Sequence, residues 1–504
     1  MNVPSQSGWY GWLVAGASGA ALTPPFDVAW LFDRTGGRRN WRGSTASSCS
    51  YRRRRSRWST RCHLARQILL SRDGAALQPA RPLGTNRVWV RDWRDDGQRP
   101  AAHGRAQVAE GSSTGAARLF KTTGAVLRGR ATATRCRKTT ARVNWSTPSP
   151  RLYRYGHDRA LLESLWPRVA AAVAYMDKLR ASERTEANRA NNPAFFGMMP
   201  ASISHEGYSA KPMHSYWDDF WSLRGYDDAL AIARWLGRDA DAVRIAASRD
   251  QFRADLGASI RSTIAQHRID YLPGSAELGD FDPTSSTIAL APGDAQSWLP
   301  PELVRNTFER YWNESMQRRD GQRAWKDYTP YELRTVGSFC APGLARTRAN
   351  AMLDFFLAGQ QPPGWRQWGE VVSATPRKPF FLGDLPHAWV ESDYIRSLLD
   401  MLAYEARRRS RLVLAAGVPA DWLDEGIAVD GLRTPQGELH YALKREGDAL
   451  VWKLGAGVTP PPEGLILTWP LESSPGKTTV DGKQAQWRNG ELRIDRLPAV
   501  VRAR

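Results

Sequence analysis

The sequence predicts a mainly α fold: a ring of helical hairpins with a site on its loop face, then a small C-terminal antiparallel β-sandwich. Three observations predict it. From about residue 152 to 410 apolar residues recur at helical spacing, in segments of helix length. The connections between those segments carry Trp, Asp, Glu and His rather than only turn residues. From about 411 the period changes to two, with turns at Asp-Gly and Asn-Gly. The reading divides the chain into an irregular Arg-rich segment (1–151), a helical domain (152–410) and a β domain (411–504).

The helices follow in order. "DRALLESLWPRVAAAVAYMDKLR" starts at Asp158 and ends basic. "HSYWDDFWSLRGYDDALAIARWLG" is a second helix or helix pair, stopped by Gly237. "DADAVRIAASRDQFRADLGASIRSTIAQH" follows, with Asp239 as its expected N-cap. The stretch "YLPGSAELGDFDPTSSTIALAPGDA" is expected as a loop. "PPELVRNTFERYWNESMQRR", "TPYELRTVGSF", "RANAMLDFFLAG" and "ESDYIRSLLDMLAYEARRRS" complete the helical series. "ELHYALKREGDALVWKLGAG", "GLILTWPLESS" and "TTVDGKQAQWRNGELRIDRL" then alternate as strands.

Charge divides the chain unevenly. Residues 1–150 hold 26 Lys and Arg against 7 Asp and Glu, a net +19, whereas the remaining 354 residues are near neutral at +1. Such asymmetry often marks a nucleic-acid or membrane arm. No apolar run is long enough to span a membrane. The cysteines Cys49, Cys62, Cys136 and Cys340 make no metal-ligand spacing, so neither a metal nor another cofactor is expected. The start "GWLVAGASGAALTPP" lacks a basic n-region and has a short, Gly-broken apolar stretch. The chain as written is therefore expected in the cytoplasm, and in the periplasm or outside the cell if its authentic N-terminus is missing.

Three segments concentrate chemistry. "GMMPASISHEGYSAKPMHSYWDDFW" gathers His205, Glu206, Lys211, His214, Tyr216, Trp217, Asp218 and Asp219. The plain reading of its adjacent carboxylates is a helix first turn, where they favour the dipole. "PPGWRQWGEVVSATPRKPFFLGDLPHAWVESDYI" supplies Trp365, Trp368, Glu370, Asp384, His387 and Trp389. "NRVWVRDW" supplies Arg91 and Asp92, which alone read as a surface pair worth little. Clustered Trp suits sugar binding because an indole face covers the apolar face of a pyranose, although core packing accounts for most of the 22 tryptophans.

Together these segments resemble the six-hairpin (α/α)₆ glycosidases, a superfamily that includes glucoamylases, trehalases and α-rhamnosidases. An uncharacterised bacterial branch is the nearest kin to name. The resemblance covers about 154–410 well and the preceding region only in pieces, so the toroid is expected to be incomplete on its N-terminal side. It implies that "YWDDFW" carries the general acid, Asp218, with Asp219 as a sugar-binding neighbour. It implies that Glu370 is the base, and that Arg91 and Asp92 bind the non-reducing sugar. Glu206, Trp217, Trp365, Trp368, Asp384, His387 and Trp389 complete the implied substrate site. The implied partner is an oligo- or polysaccharide, with no nucleic acid. Such cleavage needs one protonated and one ionised carboxyl, about 6.5–9.5 Å apart if the reaction inverts.

The basic region has its own explanation. With suitable synonymous codons, "CRKTTARVNW" read one base earlier encodes PENDSTGEL, an ordinary loop leading into a helix. "WRDDGQRPAAHG", "GSTASSCSYRRRRSRWSTRC" and "CAPGLART" likewise become amphipathic or Pro-Ala sequence when shifted. The Arg-rich strings read as frame-shifted segments of a GC-rich gene, with about 63–92 an in-frame remnant. Residues 43–62, 93–151 and 340–347 are therefore expected to lack cooperative packing. The alternatives to a working glycosidase are a silent or merely sugar-binding product and, with less support, a basic nucleic-acid-binding protein.

Overall fold

The computed structural model describes residues 153–205, 207–341, 344, 346–360, 368–375, 387–406 and 410–504, with the backbone of β1 (Ser48–Cys49). The helical part opens with α1 (Arg159–Glu183), whose first turn is closed by the Asp158 carboxylate accepting from the Leu161 amide at 2.9 Å. Thr185 caps the short α2 (Glu186–Asn191) in the same way. Next come α3 (Tyr216–Trp235) and α4 (Asp239–His267). Gly237 at φ +70° allows the turn between them, the stop read from sequence. Arg238 takes the cap position of α4 and Asp239 is its first helical residue, one place later than expected.

The expected loop around "FDPTSSTIAL" contains a helix, α5 (Pro283–Leu290). Asp282 caps it, accepting from the amides of Thr284 and Ser285 at 3.1 Å each, and Pro283 fills the first turn, where no amide is needed. The Asp-Pro pair was the available signal. After α6 (Pro301–Arg319) come β2 (Asp327–Tyr328), α7 (Leu333–Ser338), α8 (Arg348–Ala358), β3 (Val372–Ser373) and α9 (Ala388–Leu402). Helix α3 packs on α1, α4 and α5, and α7 packs on α5, α8 and α9.

The sequence pattern carries the last helix to about 410, but the chain turns to strand at Ala403. There β4 (Ala403–Ala406) pairs antiparallel with β5 (Arg411–Leu414). Ala and Glu in "AYEA" favour helix and are depleted in strands, so pairing with β5 overrides the local preference. The remaining strands are β6 (Ile427–Thr434), β7 (Gly437–Glu446), β8 (Ala449–Leu454), β9 (Leu465–Thr468), β10 (Thr478–Val480), β11 (Lys483–Ala485), β12 (Glu491–Ile494) and β13 (Ala499–Ala503). They form a seven-stranded sheet, β1-β6-β7-β8-β13-β10-β11, and a four-stranded sheet, β12-β9-β5-β4. Pairing is antiparallel except between β5 and β9, two strands buried along their whole length. Asp481-Gly482 and Asn489-Gly490 have positive φ at both residues, as the predicted tight turns require.

Two stretches expected to be unpacked make contacts. The Ser48–Cys49 backbone pairs with Asp430 and Val429 of β6. Cys340 is fully buried, because it and Ala341 continue the last turn of α7 by hydrogen bonds to Gly337 and Ser338. Residues 93–151 lie outside the described residues.

Phe339 precedes that stretch and is fully buried, its ring 5.8 Å from Phe308 and 6.3 Å from Trp312. Phe339→Ala is expected to cost about 3–5 kcal/mol of unfolding free energy. Urea titration measures this, and a loss below about 1 kcal/mol would mean the core does not extend to this end of α7.

Candidate active site

The first half of the site is built on the N-terminus of α3. The loop before it folds back on itself, with Ser202 and Met213 exchanging both backbone hydrogen bonds at 2.9 and 3.0 Å. This lays Ser202 and Ser204 against Asp218, which is only 1 % exposed. The Ser202 hydroxyl donates to Asp218 Oδ2 and itself accepts from the Ser204 amide at 2.8 Å. Ser204 Oγ lies 2.9 Å from Ser215 Oγ and 3.5 Å from Asp218 Oδ1.

Asp219, the implied sugar-binding neighbour, meets the backbone of the preceding loop. It is fully buried, and its Oδ1 accepts from the Met199 amide at 3.0 Å. Burial raises its carboxyl well above the usual range, and the charge of Asp218 adds to this; the Met199 amide, His214 and Arg180 oppose it. Asp219 therefore pins the loop that holds Asp218.

The second half lies at the start of α9. Tyr331 Oη is 2.6 Å from His387 Nε2 and 3.4 Å from Glu370 Oε1, and His387 Nε2 is 4.0 Å from the same oxygen. The Tyr331 ring packs on Trp389 at 4.7 Å, and Trp389 meets Trp217 edge-on at 6.2 Å. A line of rings, Trp217–Trp389–Tyr331, thus joins the Asp218 cluster to the Glu370 cluster. The Arg334 guanidinium lies 4.8 Å from the Trp389 ring centre and pairs with Asp393 at 2.8 Å.

Not every implied residue falls into this arrangement. Trp368 is fully buried, donates its indole N–H to the Phe356 carbonyl at 2.9 Å and packs on Tyr394, so it belongs to the core and offers no face to a sugar. Arg91, Asp92, Glu206, Trp365 and Asp384 lie outside the described residues. Sequence reasoning missed Tyr331, Ser202 and Ser204. Tyr331 sits in "TPYELR" with nothing nearby to mark it, and serines in a loop carry no signal of their own.

Beneath this region His214 is held between two carboxylates, with Nδ1 2.7 Å from Glu277 and Nε2 3.4 Å from Glu183, and Phe195 stacked on its ring at 4.2 Å. Burial opposes its charge, but the two glutamates outweigh burial and raise its pKa from 6.5 to about 9. The hydrogen bond from His214 in turn lowers the carboxyl of Glu183.

No family model matches this chain, and none of the curated proteins does. Solved structures do. An α-L-rhamnosidase from Dictyoglumus thermophilum aligns with TM-score 0.58 at 10 % identity, over 91 % of this chain and 50 % of the enzyme. The Streptomyces avermitilis α-L-rhamnosidase, complexed with L-rhamnose, gives 0.56 at 12 %, over 91 % and 42 %. The native enzyme from Aspergillus terreus gives 0.51 at 12 %, over 92 % and 50 %. The chain thus spans half or less of the length of these enzymes. At such identities the likeness establishes the fold: the (α/α)₆ toroid architecture with β domains found in these glycosidases.

The His214 cluster generates a pH prediction. Because the folded pKa is raised, the stability contributed by the cluster is complete below about pH 6.5 and is lost as pH rises through about 9. The gap in unfolding free energy between the native protein and His214→Gln should therefore narrow from pH 6.5 to 9. A gap that stays constant across that window, measured by denaturant titration, would show that His214 is not charged in the folded state.

Proposed function

We propose that this chain is a glycoside hydrolase that cleaves with inversion, Asp218 acting as general acid and Glu370 as general base. One observation supports the reading: the rings Trp217, Trp389 and Tyr331 pack in a line from the residue next to Asp218 to the hydroxyl that meets Glu370. Asp218 gives its proton to the glycosidic oxygen. Glu370 takes one from a water that attacks the anomeric carbon from the opposite face, which requires a carboxyl separation of about 6.5–9.5 Å. The hydroxyl of Tyr331 touches both Glu370 and His387 and so fixes the base in direction. The rhamnosidase neighbours make α-L-rhamnosides the first substrates to try, before glucosides.

A second reading is favoured by a specific observation. Asp218 is almost entirely covered, with Ser202 and Ser204 on its carboxylate, so a sugar reaches it only after that cover moves. A chain locked in this state binds sugar or does nothing, and the implied sugar ligands Arg91 and Asp92 directly precede a stretch that reads as frame-shifted. Expressing this chain beside a frame-restored version separates the readings. Activity only in the restored chain identifies a silent product, whereas equal activity shows that residues 93–151 are dispensable.

In an active chain, Asp218→Asn and Glu370→Gln should each lower turnover on the order of 10² or more. Tyr331→Phe keeps the ring on Trp389 but removes the hydroxyl; kcat should fall about tenfold with KM unchanged. Proton NMR of the first-formed sugar should show the inverted anomer. A retained anomer would remove Glu370 from the role of base.

A further inference from the structure

A cavity of about 160 Å³ lies where the helices meet the β-sandwich. One wall is made by the C-terminal ends of α5, α7 and α9, at Leu290, Ser338 and Asp400. The other is made by Tyr404 of β4, Leu412 of β5 and Arg433 of β6. The candidate active site is built on the opposite, N-terminal ends of α3 and α9. From His387 to Asp400 along α9 is about 20 Å at 1.5 Å per residue. We propose that this cavity is a second binding site, for a neutral polyol of monosaccharide size. The inference does not rest on the glycosidase reading.

Size and charge narrow the occupant. One water takes up about 10–15 Å³ of such space, so the cavity has room for roughly a dozen atoms of that size. A single bridging water would leave most of it empty. Three arginines, Arg224, Arg396 and Arg433, and three carboxylates, Asp294, Asp400 and Glu405, line it. Their charges cancel, so net charge draws in neither an anion nor a cation. Between them Leu290, Pro292 and Leu399 supply an apolar surface. Apolar walls with a few placed polar groups are the usual make-up of a small-molecule site, and a pyranose has both an apolar face and a polar edge.

The polar groups differ in how far they are already used. Arg224 takes Asp228 at 2.5 Å and the Pro292 carbonyl at 3.3 Å, and Glu405 takes Arg154 at 2.5 and 2.9 Å. Arg396 is less well served. It lies 3.2 Å from Asp393, which already pairs with Arg334 at 2.8 Å, and its Nε makes no hydrogen bond. Its side chain is 19 % exposed, so its head still reaches a guest. The Arg433 guanidinium and the Gln296 amide have no hydrogen-bond or ion-pair partner among the described residues, and both side chains are partly exposed. Arginine only donates, whereas an amide donates and accepts. An apolar guest would leave these groups unmet. A hydroxyl meets both kinds, accepting from Arg396 or Arg433 and donating to the Gln296 carbonyl or to a carboxylate of the rim.

The test titrates the full chain with L-rhamnose, D-glucose and myo-inositol, one at a time, and reads binding by saturation-transfer NMR and calorimetry. At least one should show a component that saturates at millimolar concentration. Arg433→Glu and Gln296→Leu should each weaken that component about tenfold or more, whereas Asp218→Asn should leave it unchanged. Neither Arg433 nor Gln296 has a partner to lose, so the thermal midpoints of both variants should match the native protein, which separates lost binding from misfolding. Saturation by none of the three polyols would mean that the cavity holds water only, and overturns the site. A component lost in Asp218→Asn but kept in Arg433→Glu belongs to the candidate active site, and overturns it equally. Phosphate or acetate binding there in place of every polyol, and lost in Arg433→Glu, overturns the neutral class. Failure of the glycosidase reading would appear separately, as absence of hydrolysis in a chain that still binds the polyol.

Discussion

Helix α3 is buried on every side, with sixteen of its twenty residues hidden from solvent, and this constraint governs its surroundings. A helix so placed is expected to be apolar all round, yet α3 carries Asp218, Asp219, Ser222, Arg224 and Asp228 inside. Each needs a partner, because a buried polar group left unmade costs about 1–3 kcal/mol. Arg224 takes Asp228 at 2.5 Å and the Pro292 carbonyl at 3.3 Å, and Ser222 takes the Asp218 carbonyl. Asp218 and Asp219 take the preceding loop, through Ser202 and the Met199 amide. The conformation of that loop follows from satisfying the helix.

The other half of the site depends on Arg334 in a comparable way. Its guanidinium pairs with Asp393, both nearly fully buried, and lies against the rings of Trp389 and Tyr331. Arginine suits this place because its planar, weakly hydrated head stacks and pairs at once. One cation therefore ties α7 to α9 and holds Tyr331 where its hydroxyl reaches Glu370.

The helices were legible in the sequence wherever period and punctuation agreed. Asp158 marked the start of α1, Gly237 the end of α3, and Asp-Gly and Asn-Gly the tight turns. Legibility ended where tertiary pairing overrode a helix-favouring local sequence, as at Ala403–Ala406, and where a short capped helix sat inside loop-like composition, as at Pro283–Leu290. At the candidate site, Asp218 and Glu370 stood out because acids beside tryptophan are conspicuous in a string. Their serine and tyrosine partners did not, since a hydrogen bond between residues sixteen or thirty-nine apart leaves no local pattern. Trp368 and Asp219 are conspicuous types too, and their buried partners, the Phe356 carbonyl and the Met199 amide, were equally hidden from the sequence.

Helix α9 passes into β4 with no residue between Leu402 and Ala403, and the buried side chains of the helices and of both large sheets form one continuous cluster. The junction is thus a weld rather than a hinge. Proteases need several extended, exposed residues to cut, and this joint presents none between helix and strand. A cut there would part the two sheets from the helices through buried side chains, opening the core that they share.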